Sequence, residues 1–245
     1  NQMGINHLHG GSKGISKVIW QIAPHLDRDQ GSIVCSILSP DGDQGYPGNM
    51  DIKVRYTLTE TNQMIIEYEA TTDQLCPINL TNHTYWNLCG DSKENILDHC
   101  LQLSCNQYLP VDDKLIPTGE IRFVEGSPWD FRKMKRIGND IEIAGGFDHC
   151  YVKKMKRGEC VPIAQVIENN SGRRMIVSTT EPGIQFYSGN FLSRLEEQGF
   201  RAHDAFCLET QSFPDAVNHD NFPSILLKPG QIYRQKTTHI FGTRQ

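Results

Sequence analysis

The sequence predicts an all-β protein, folded as a large antiparallel β-sandwich with little helix. Three observations support this fold class: apolar and polar residues alternate in several short segments, helical periodicity is scarce, and glycine, proline and asparagine punctuate the chain. All-β units of roughly 200–250 residues often fold as one domain. We therefore expect residues 1–245 to form a single domain.

The clearest strand signal is a pair of neighbouring segments with period-two alternation. Residues 54–59 and 64–70 each place apolar side chains on one face and polar side chains on the other, as half-buried strands require. The intervening residues read as a hairpin turn, which makes the two strands antiparallel neighbours. Four further segments are strand candidates: residues 32–38, 97–103, 163–168 and 175–179.

The remaining elements are short helices and a closing strand. Residues 132–143 can hold a turn or two of helix, and residues 190–198 another. Near the C-terminus, residues 225–231 run on into a segment that predicts a closing strand. Strands therefore account for nearly all of the predicted regular structure.

Composition and charge exclude several function classes. The net charge of −5 argues against a general nucleic-acid binder and gives no reason to expect attachment to an anionic membrane. No apolar run approaches the roughly 20 residues that span a bilayer, and no leader peptide is visible. Eight scattered cysteines without a C-x-x-C pair favour reduced, mostly buried thiols. We therefore expect a cytoplasmic protein.

Glu209 is the first candidate for chemistry. It lies in the segment F-C-L-E-T-Q at residues 206–211, where apolar neighbours indicate a strand that ends at a polar cleft. Burying a carboxylate among apolar residues costs free energy unless the group is paired or has a function. The alternative is a strand residue that faces solvent.

His83 is the second candidate, in the polar segment T-N-H-T-Y-W at residues 81–86. Histidine titrates near neutral pH, so it can both donate and accept a proton within one turnover. Tyr85 and Trp86 could stack on a ligand ring, but packing in a hydrophobic core is the favoured interpretation for both.

Two loops carry further polar groups. The pattern His7-x-His9 invites a metal site, but the position at which a cupin-like site would need a glutamate is Lys13, so this interpretation is disfavoured. The glycines after His9 instead predict a tight loop that approaches a ligand closely. Asp148 follows two glycines and a phenylalanine, as in a loop that delivers a carboxylate, although taken alone this motif favours a simple turn aspartate.

Five motifs in this order resemble one family. They are N-H-L-H-G-G at residues 6–11, T-N-H-T-Y-W at 81–86, G-F-D-H at 146–149, Q-F-Y-S-G-N at 185–190 and L-E-T-Q at 208–211. Together they resemble the aldose 1-epimerase (galactose mutarotase) family over essentially the whole chain. The resemblance implies an antiparallel β-sandwich with an open cleft. It also implies interconversion of the α and β anomers of galactose, glucose and related aldoses, with no metal or organic cofactor.

The resemblance also implies a role for each candidate residue. Glu209 matches the general base that removes the proton of the anomeric hydroxyl, and His83 matches the general acid that protonates the ring oxygen. His9 matches a second histidine that helps polarise the ring oxygen or orient the sugar. Asp148 and Gln185 match residues that hydrogen-bond sugar hydroxyls. The expected partner is a small sugar, bound by a monomer.

One departure from the family pattern concerns the start of the chain. The family carries an arginine upstream of its L-H-G-G motif, but here that motif begins at Leu8, too near Asn1 for the arginine-containing segment to be present. We therefore expect this sequence to lack the N-terminal strands of a longer enzyme. Two other functions stay open: a sugar-binding module without catalysis, and a hexose-6-phosphate 1-epimerase, which would need a basic cluster at the cleft.

Overall fold

The computed structural model describes residues 1, 4–26, 28, 30–90, 94–156 and 158–244. The chain divides into two compact units, the first formed by Asn1–Ile78 with Ile225–Lys236 and the second by Asn79–Ser224 with Thr237–Gln245. The prediction of one domain over residues 1–245 therefore stays a prediction. In the described part of the chain, no helix has the length and apolar character needed to cross a bilayer.

Sixteen strands occur among the described residues, and they alternate with very little helix. In chain order they are β1 (Gln21–Leu26), β2 (Gln30–Ser39), β3 (Met50–Thr59), β4 (Gln63–Thr72), β5 (Cys76–Pro77), β6 (Cys100–Leu103), β7 (Gln107–Tyr108), β8 (Arg122–Phe123), β9 (Lys135–Arg136), β10 (Asp148–Val152), β11 (Val161–Ile167), β12 (Arg173–Thr179), β13 (Gly183–Tyr187), β14 (Cys207–Gln211), β15 (Leu226–Leu227) and β16 (Tyr233–Thr243).

The first unit is an antiparallel meander in the order β1-β2-β3-β4. In β3, Met50, Ile52 and Val54 are buried and the residues between them are exposed, because successive side chains of a strand point to opposite faces. The predicted hairpin between residues 54–59 and 64–70 is confirmed, and both strands are longer than predicted.

The second unit is a β-sandwich. One of its sheets runs β16-β12-β11-β6-β9 and the other runs β14-β13-β10-β7-β8, with antiparallel pairing throughout. Apolar side chains from both sheets form one core, among them Leu103, Val166, Val177, Phe186 and Leu208. The predicted fold class, a large antiparallel β-sandwich with little helix, is confirmed.

Both regions predicted to be helical contain short helices. The α-helix α1 (Ile141–Ala144) is a single turn, the 3-10 helix Ile137–Asn139 precedes it, and another 3-10 helix spans Leu192–Gln198. Three further 3-10 helices were not predicted: Ile15–Lys17, Asp43–Gly45 and Ala216–Asn218.

One predicted strand begins later than expected. The strand predicted for residues 97–103 begins only at Cys100, because the preceding residues form a turn in which the amide of His99 donates to the carbonyl of Ile96. The closing strand predicted to follow residues 225–231 is present as β16, and a turn in which the amide of Gln231 donates to the carbonyl of Lys228 separates it from β15.

The cysteines are only partly as expected. Four of the eight, Cys76, Cys105, Cys150 and Cys207, are buried, whereas Cys160 is exposed and the other three are intermediate. The prediction that most would be buried is therefore right for half of them. Cys207 has a particular position, because it lies two residues before Glu209 on β14.

Candidate active site

The polar face of the five-stranded sheet in the second unit holds three of the predicted site residues. Ile184, Phe186 and Leu208 point into the hydrophobic core, so the residues that alternate with them point to the opposite face. On that face Gln185 of β13 lies directly opposite Glu209 of β14. Asp148, the first residue of β10, lies opposite Tyr187 of β13, which brings its carboxyl to the same face.

His83 reaches this face because its segment is fixed beside β14. The side chain of Asn79 exchanges two hydrogen bonds with the backbone of Ser212, at 3.1 and 2.9 Å. The hydroxyl of Thr81 donates to the carbonyl of Thr210 at 2.9 Å. Further along, Trp86 forms an isolated antiparallel bridge with the residue before β14. These anchors place His83 opposite the middle of the strand.

The imidazole of His83 and the carboxyl of Glu209 meet in this site. The distance between His83 Nε2 and Glu209 Oε1 is 3.6 Å. The side chain of Glu209 is 8% exposed and that of His83 is 31% exposed, so the pair is sheltered but can be reached from one side. A solvent-facing Glu209, the simpler alternative from sequence, is ruled out.

Burial controls the protonation of the two carboxyls. Burial, and after it the nearby charge of Asp148, raises the pKa of Glu209 to about 8. Burial also raises the pKa of Asp148, against the opposing effect of a hydrogen bond from Gln185. The contact with His83 would lower the pKa of Glu209 only if the imidazole were protonated.

Gln185 links the two carboxyls and keeps one acceptor for a ligand. Its Nε2 donates to Oδ1 of Asp148 at 2.7 Å, and it lies across from Glu209 in the strand register. Among the described residues, its Oε1 atom is buried without a hydrogen-bond partner. Buried polar atoms are normally paired, so this oxygen points to a ligand that donates a hydrogen bond.

The loop that delivers Asp148 depends on glycine and on a polar support. Gly146 has φ of +88°, and a β-carbon there would approach the side chain of Asn190 to 2.5 Å. Asn190 and Ser188 in turn bond the backbone of Phe147, at 3.2 Å from Asn190 Nδ2 to the carbonyl and 2.9 Å from the amide to Ser188 Oγ. The segment at residues 185–190 therefore fixes the position of Asp148 as well as supplying Gln185.

Two tyrosines form an aromatic wall beside the pair. The ring of Tyr85 stacks on His83 with 5.0 Å between centroids and an interplanar angle of 20°. Tyr187 meets Tyr85 edge-on at 6.3 Å. Tyr85 is half-exposed, whereas Trp86 packs against the hydrophobic core. The prediction of core packing is therefore right for Trp86 and wrong for Tyr85.

A sequence model of the aldose 1-epimerase family matches residues 1–239 of this chain. The chain belongs to the aldose 1-epimerase family. It is 43% identical to the galactose mutarotase of Bos taurus over 98% of its own length and 70% of that protein. It is 37% identical to the aldose 1-epimerase of Escherichia coli, covering 97% of this chain and 71% of the relative.

Solved structures from the aldose 1-epimerase family share the fold. A GalM/aldose epimerase homologue from C. elegans aligns with a TM-score of 0.87 at 31% identity, over all of this chain and 74% of the other. A galactose 1-epimerase from Lactobacillus acidophilus aligns with a TM-score of 0.86 at 29% identity, over 98% and 71% of the two chains.

Of the five residues predicted from this family's motifs, four come together in the second unit: His83, Asp148, Gln185 and Glu209. His9 lies in the first unit, in a loop where the amide of Gly11 donates to the carbonyl of Leu8 at 3.1 Å. Gly11 has φ of +94°, and a β-carbon there would meet Oε1 of Gln44 at 2.5 Å, so the loop requires glycine. His9 is exposed, and partial desolvation, followed by the charge of Lys17, lowers its pKa. Its role stays a prediction.

Two residues of the site, Cys207 and Tyr187, were not predicted from the sequence. Both lie on the polar face, opposite each other in the register of β13 and β14. The signal was present in the alternation: Cys207 is two residues before Glu209, and Tyr187 is two residues after Gln185.

Proposed function

We propose that this chain interconverts the α and β anomers of free aldoses by opening and reclosing the sugar ring. Glu209 is the general base and His83 is the general acid. The chemistry of the named relatives supports the reaction class, since they are called galactose mutarotase and aldose 1-epimerase. Galactose is therefore the first substrate to test.

The observation that carries the proposal is the 3.6 Å separation between His83 Nε2 and Glu209 Oε1. In a pyranose the anomeric hydroxyl and the ring oxygen are bonded to the same carbon. A base for one oxygen and an acid for the other must therefore lie within a few ångströms of each other.

The reaction then proceeds by two proton transfers and one bond cleavage. The carboxylate of Glu209 takes the proton of the anomeric hydroxyl while His83 gives a proton to the ring oxygen. The bond between the anomeric carbon and the ring oxygen breaks, and a carbonyl forms. Rotation about the adjacent carbon–carbon bond presents the other carbonyl face. As the ring closes, Glu209 returns its proton to the carbonyl oxygen and His83 takes its proton back from the attacking hydroxyl. No proton is gained or lost in a full cycle.

The binding groups fit a polyhydroxylated substrate. The carboxyl of Asp148 and the unpartnered Oε1 of Gln185 accept hydrogen bonds, and sugar hydroxyls donate them. The exposed ring of Tyr85 offers an apolar surface for the C–H groups of the sugar. We assign His9 a supporting role in orienting the sugar, on the strength of the family resemblance alone.

The two alternative functions are less well supported. A phosphate on the substrate would bring negative charge toward two carboxyls whose pKa values are already raised, and neither carboxyl has its pKa lowered by a basic side chain. A module that only binds sugar has no need for an acid and a base in contact.

We extend the proposal to the setting of the enzyme: a cytoplasmic monomer whose partner is the sugar alone. The scattered cysteines and the net charge of −5 support it. Sedimentation of the purified chain and fractionation of cells are the direct tests, and a stable dimer or a secreted form would contradict it.

The decisive experiment is polarimetry of freshly dissolved α-D-galactose with this chain and with Glu209→Gln. The native chain should accelerate the change in rotation, and the variant should lose about 10²–10⁴-fold of that acceleration. Calorimetry should show that both bind galactose. A variant as active as the native chain would remove Glu209 from the base role, and binding without acceleration by the native chain would favour the sugar-binding module.

A further inference from the structure

The site contains a group that the proposed reaction does not use, the thiol of Cys207. It lies on the same face of β14 as Glu209, because the two are alternate residues of one strand. One donor atom from each of His83, Cys207 and Glu209 lies within 4.8 Å of the other two. The cluster thus joins the proposed acid and base to a sulfur atom.

We propose that His83, Cys207 and Glu209 form a binding site for a thiophilic divalent cation of the zinc and cadmium class. An ion held there occupies the acid and the base together, so it inhibits anomer exchange in competition with the sugar. The inhibitory consequence rests on the proposed function, whereas the binding itself does not.

The donor set has the composition and spacing that such an ion requires. Zinc is bound by cysteine sulfur at about 2.3 Å, histidine nitrogen at about 2.0–2.1 Å and carboxylate oxygen at about 2.0–2.2 Å, usually in tetrahedral geometry. These bond lengths place neighbouring donors roughly 3.5 Å apart. The separation of 3.6 Å between His83 Nε2 and Glu209 Oε1 already matches, and the sulfur lies within 4.8 Å of both other donors, at most about 1.3 Å beyond that spacing.

The electrostatics of the site favour a cation. The carboxyl groups of Glu209 and Asp148 lie on the same face of the sheet as Cys207, since Cys207 and Asp148 both lie opposite Tyr187 in the strand register. A divalent ion bound among these groups neutralises one thiolate and one carboxylate together. Three protein ligands leave the fourth position open toward the 31%-exposed side of His83.

The test uses cadmium chloride as the probe, because a cadmium–thiolate bond has an ultraviolet charge-transfer band that needs no enzyme activity to be seen. The full chain is titrated beside Cys207→Ala, Cys207→Ser and Cys160→Ser, the last being the matched control at an exposed cysteine. Circular dichroism verifies that each variant is folded. We expect a band that saturates at one ion per chain in the native protein and in Cys160→Ser. Both Cys207 variants should lose it, and excess galactose should weaken it.

Inhibition is measured separately, with zinc chloride in polarimetric assays of α-D-galactose and each variant compared with its own metal-free rate. The zinc concentration that halves the rate should rise by roughly tenfold or more in Cys207→Ala and stay unchanged in Cys160→Ser. The proposal is overturned if the native chain gives no cadmium band or if the band survives in both Cys207 variants. A chain without mutarotase activity would still give the band, so failure of the proposed function is distinguishable from failure of the metal site.

Discussion

The two faces of strands β13 and β14 differ in the side chains they carry: one face is apolar and packs in the core, and the other is polar and forms the candidate site. One face carries Ile184, Phe186 and Leu208 into the core, where removing apolar surface from water stabilises the fold. The other carries Gln185 and Glu209, and there burial raises the pKa of a carboxyl to about 8. The rigid core holds the costly groups in position, so a change on one face should affect stability and a change on the other should affect chemistry.

Removing the proposed general acid, His83, should have the largest effect on catalysis. His83→Asn should lower kcat/KM by about 10²–10⁴-fold, because proton transfer to the ring oxygen loses its donor. Since His83 and Glu209 act in one turnover, the double variant His83→Asn with Glu209→Gln should be little worse than either single variant. Polarimetry of all three proteins measures this, and multiplicative losses would show that the two residues act in independent steps.

Substitutions on the face that packs in the core should lower the free energy of unfolding instead. Phe186→Ala removes a fully buried ring that packs against Phe147 and Phe131, and it should lower the free energy of unfolding by about 3–5 kcal/mol. Urea unfolding measures this change.

The matched control for Phe186 is its neighbour on the polar face. Gln185→Ala should raise KM for galactose while changing the urea midpoint far less than Phe186→Ala. Equal losses of stability in both variants would erase the distinction between the faces.

Sequence periodicity was sufficient to predict the fold class but not the site. The alternation in residues 54–59 and 64–70 depends on local geometry, so it correctly predicted the β3–β4 hairpin. The proximity of His83 to Glu209 depends instead on hydrogen bonds between segments about 130 residues apart, such as that from Thr81 to Thr210. Only the ordered motifs, through the family resemblance, indicated that these residues meet. Cys207 escaped because no motif assigned it a role.

The raised pKa of Glu209 should make the free energy of unfolding depend on pH. The pKa of Glu209 rises from 4.5 to about 8 on folding, so the folded chain retains a proton that the unfolded chain releases. The native chain should therefore lose stability as pH rises through this window, whereas Glu209→Gln should not lose this contribution. Thermal melts should show the Tm advantage of the variant growing from pH 4.5 to 8. A difference in Tm that stays constant with pH would mean that burial does not raise the pKa of Glu209.

The smallest expected effect is a shift in the pH profile caused by Asp148→Asn. The pair formed by Glu209 and His83 works with one shared proton, so kcat/KM should fall as pH rises above about 8, where the pair loses that proton and His83 has none to donate. Asp148 is the second cause of the raised pKa, after burial. Removing its charge should therefore move the alkaline limb to lower pH without returning it to the ordinary value for a carboxyl.

The prediction for Asp148→Asn is tested by the pH at which kcat/KM falls, and not by the maximum value of kcat/KM. The variant also loses an acceptor for sugar hydroxyls, so KM should rise at every pH. A loss of binding alone lowers the whole profile and leaves its midpoint in place. Movement of the midpoint requires that the charge of Asp148 acts on Glu209 across the polar face. An unmoved limb would mean that burial alone sets the protonation of Glu209, and that Asp148 serves only to bind the sugar.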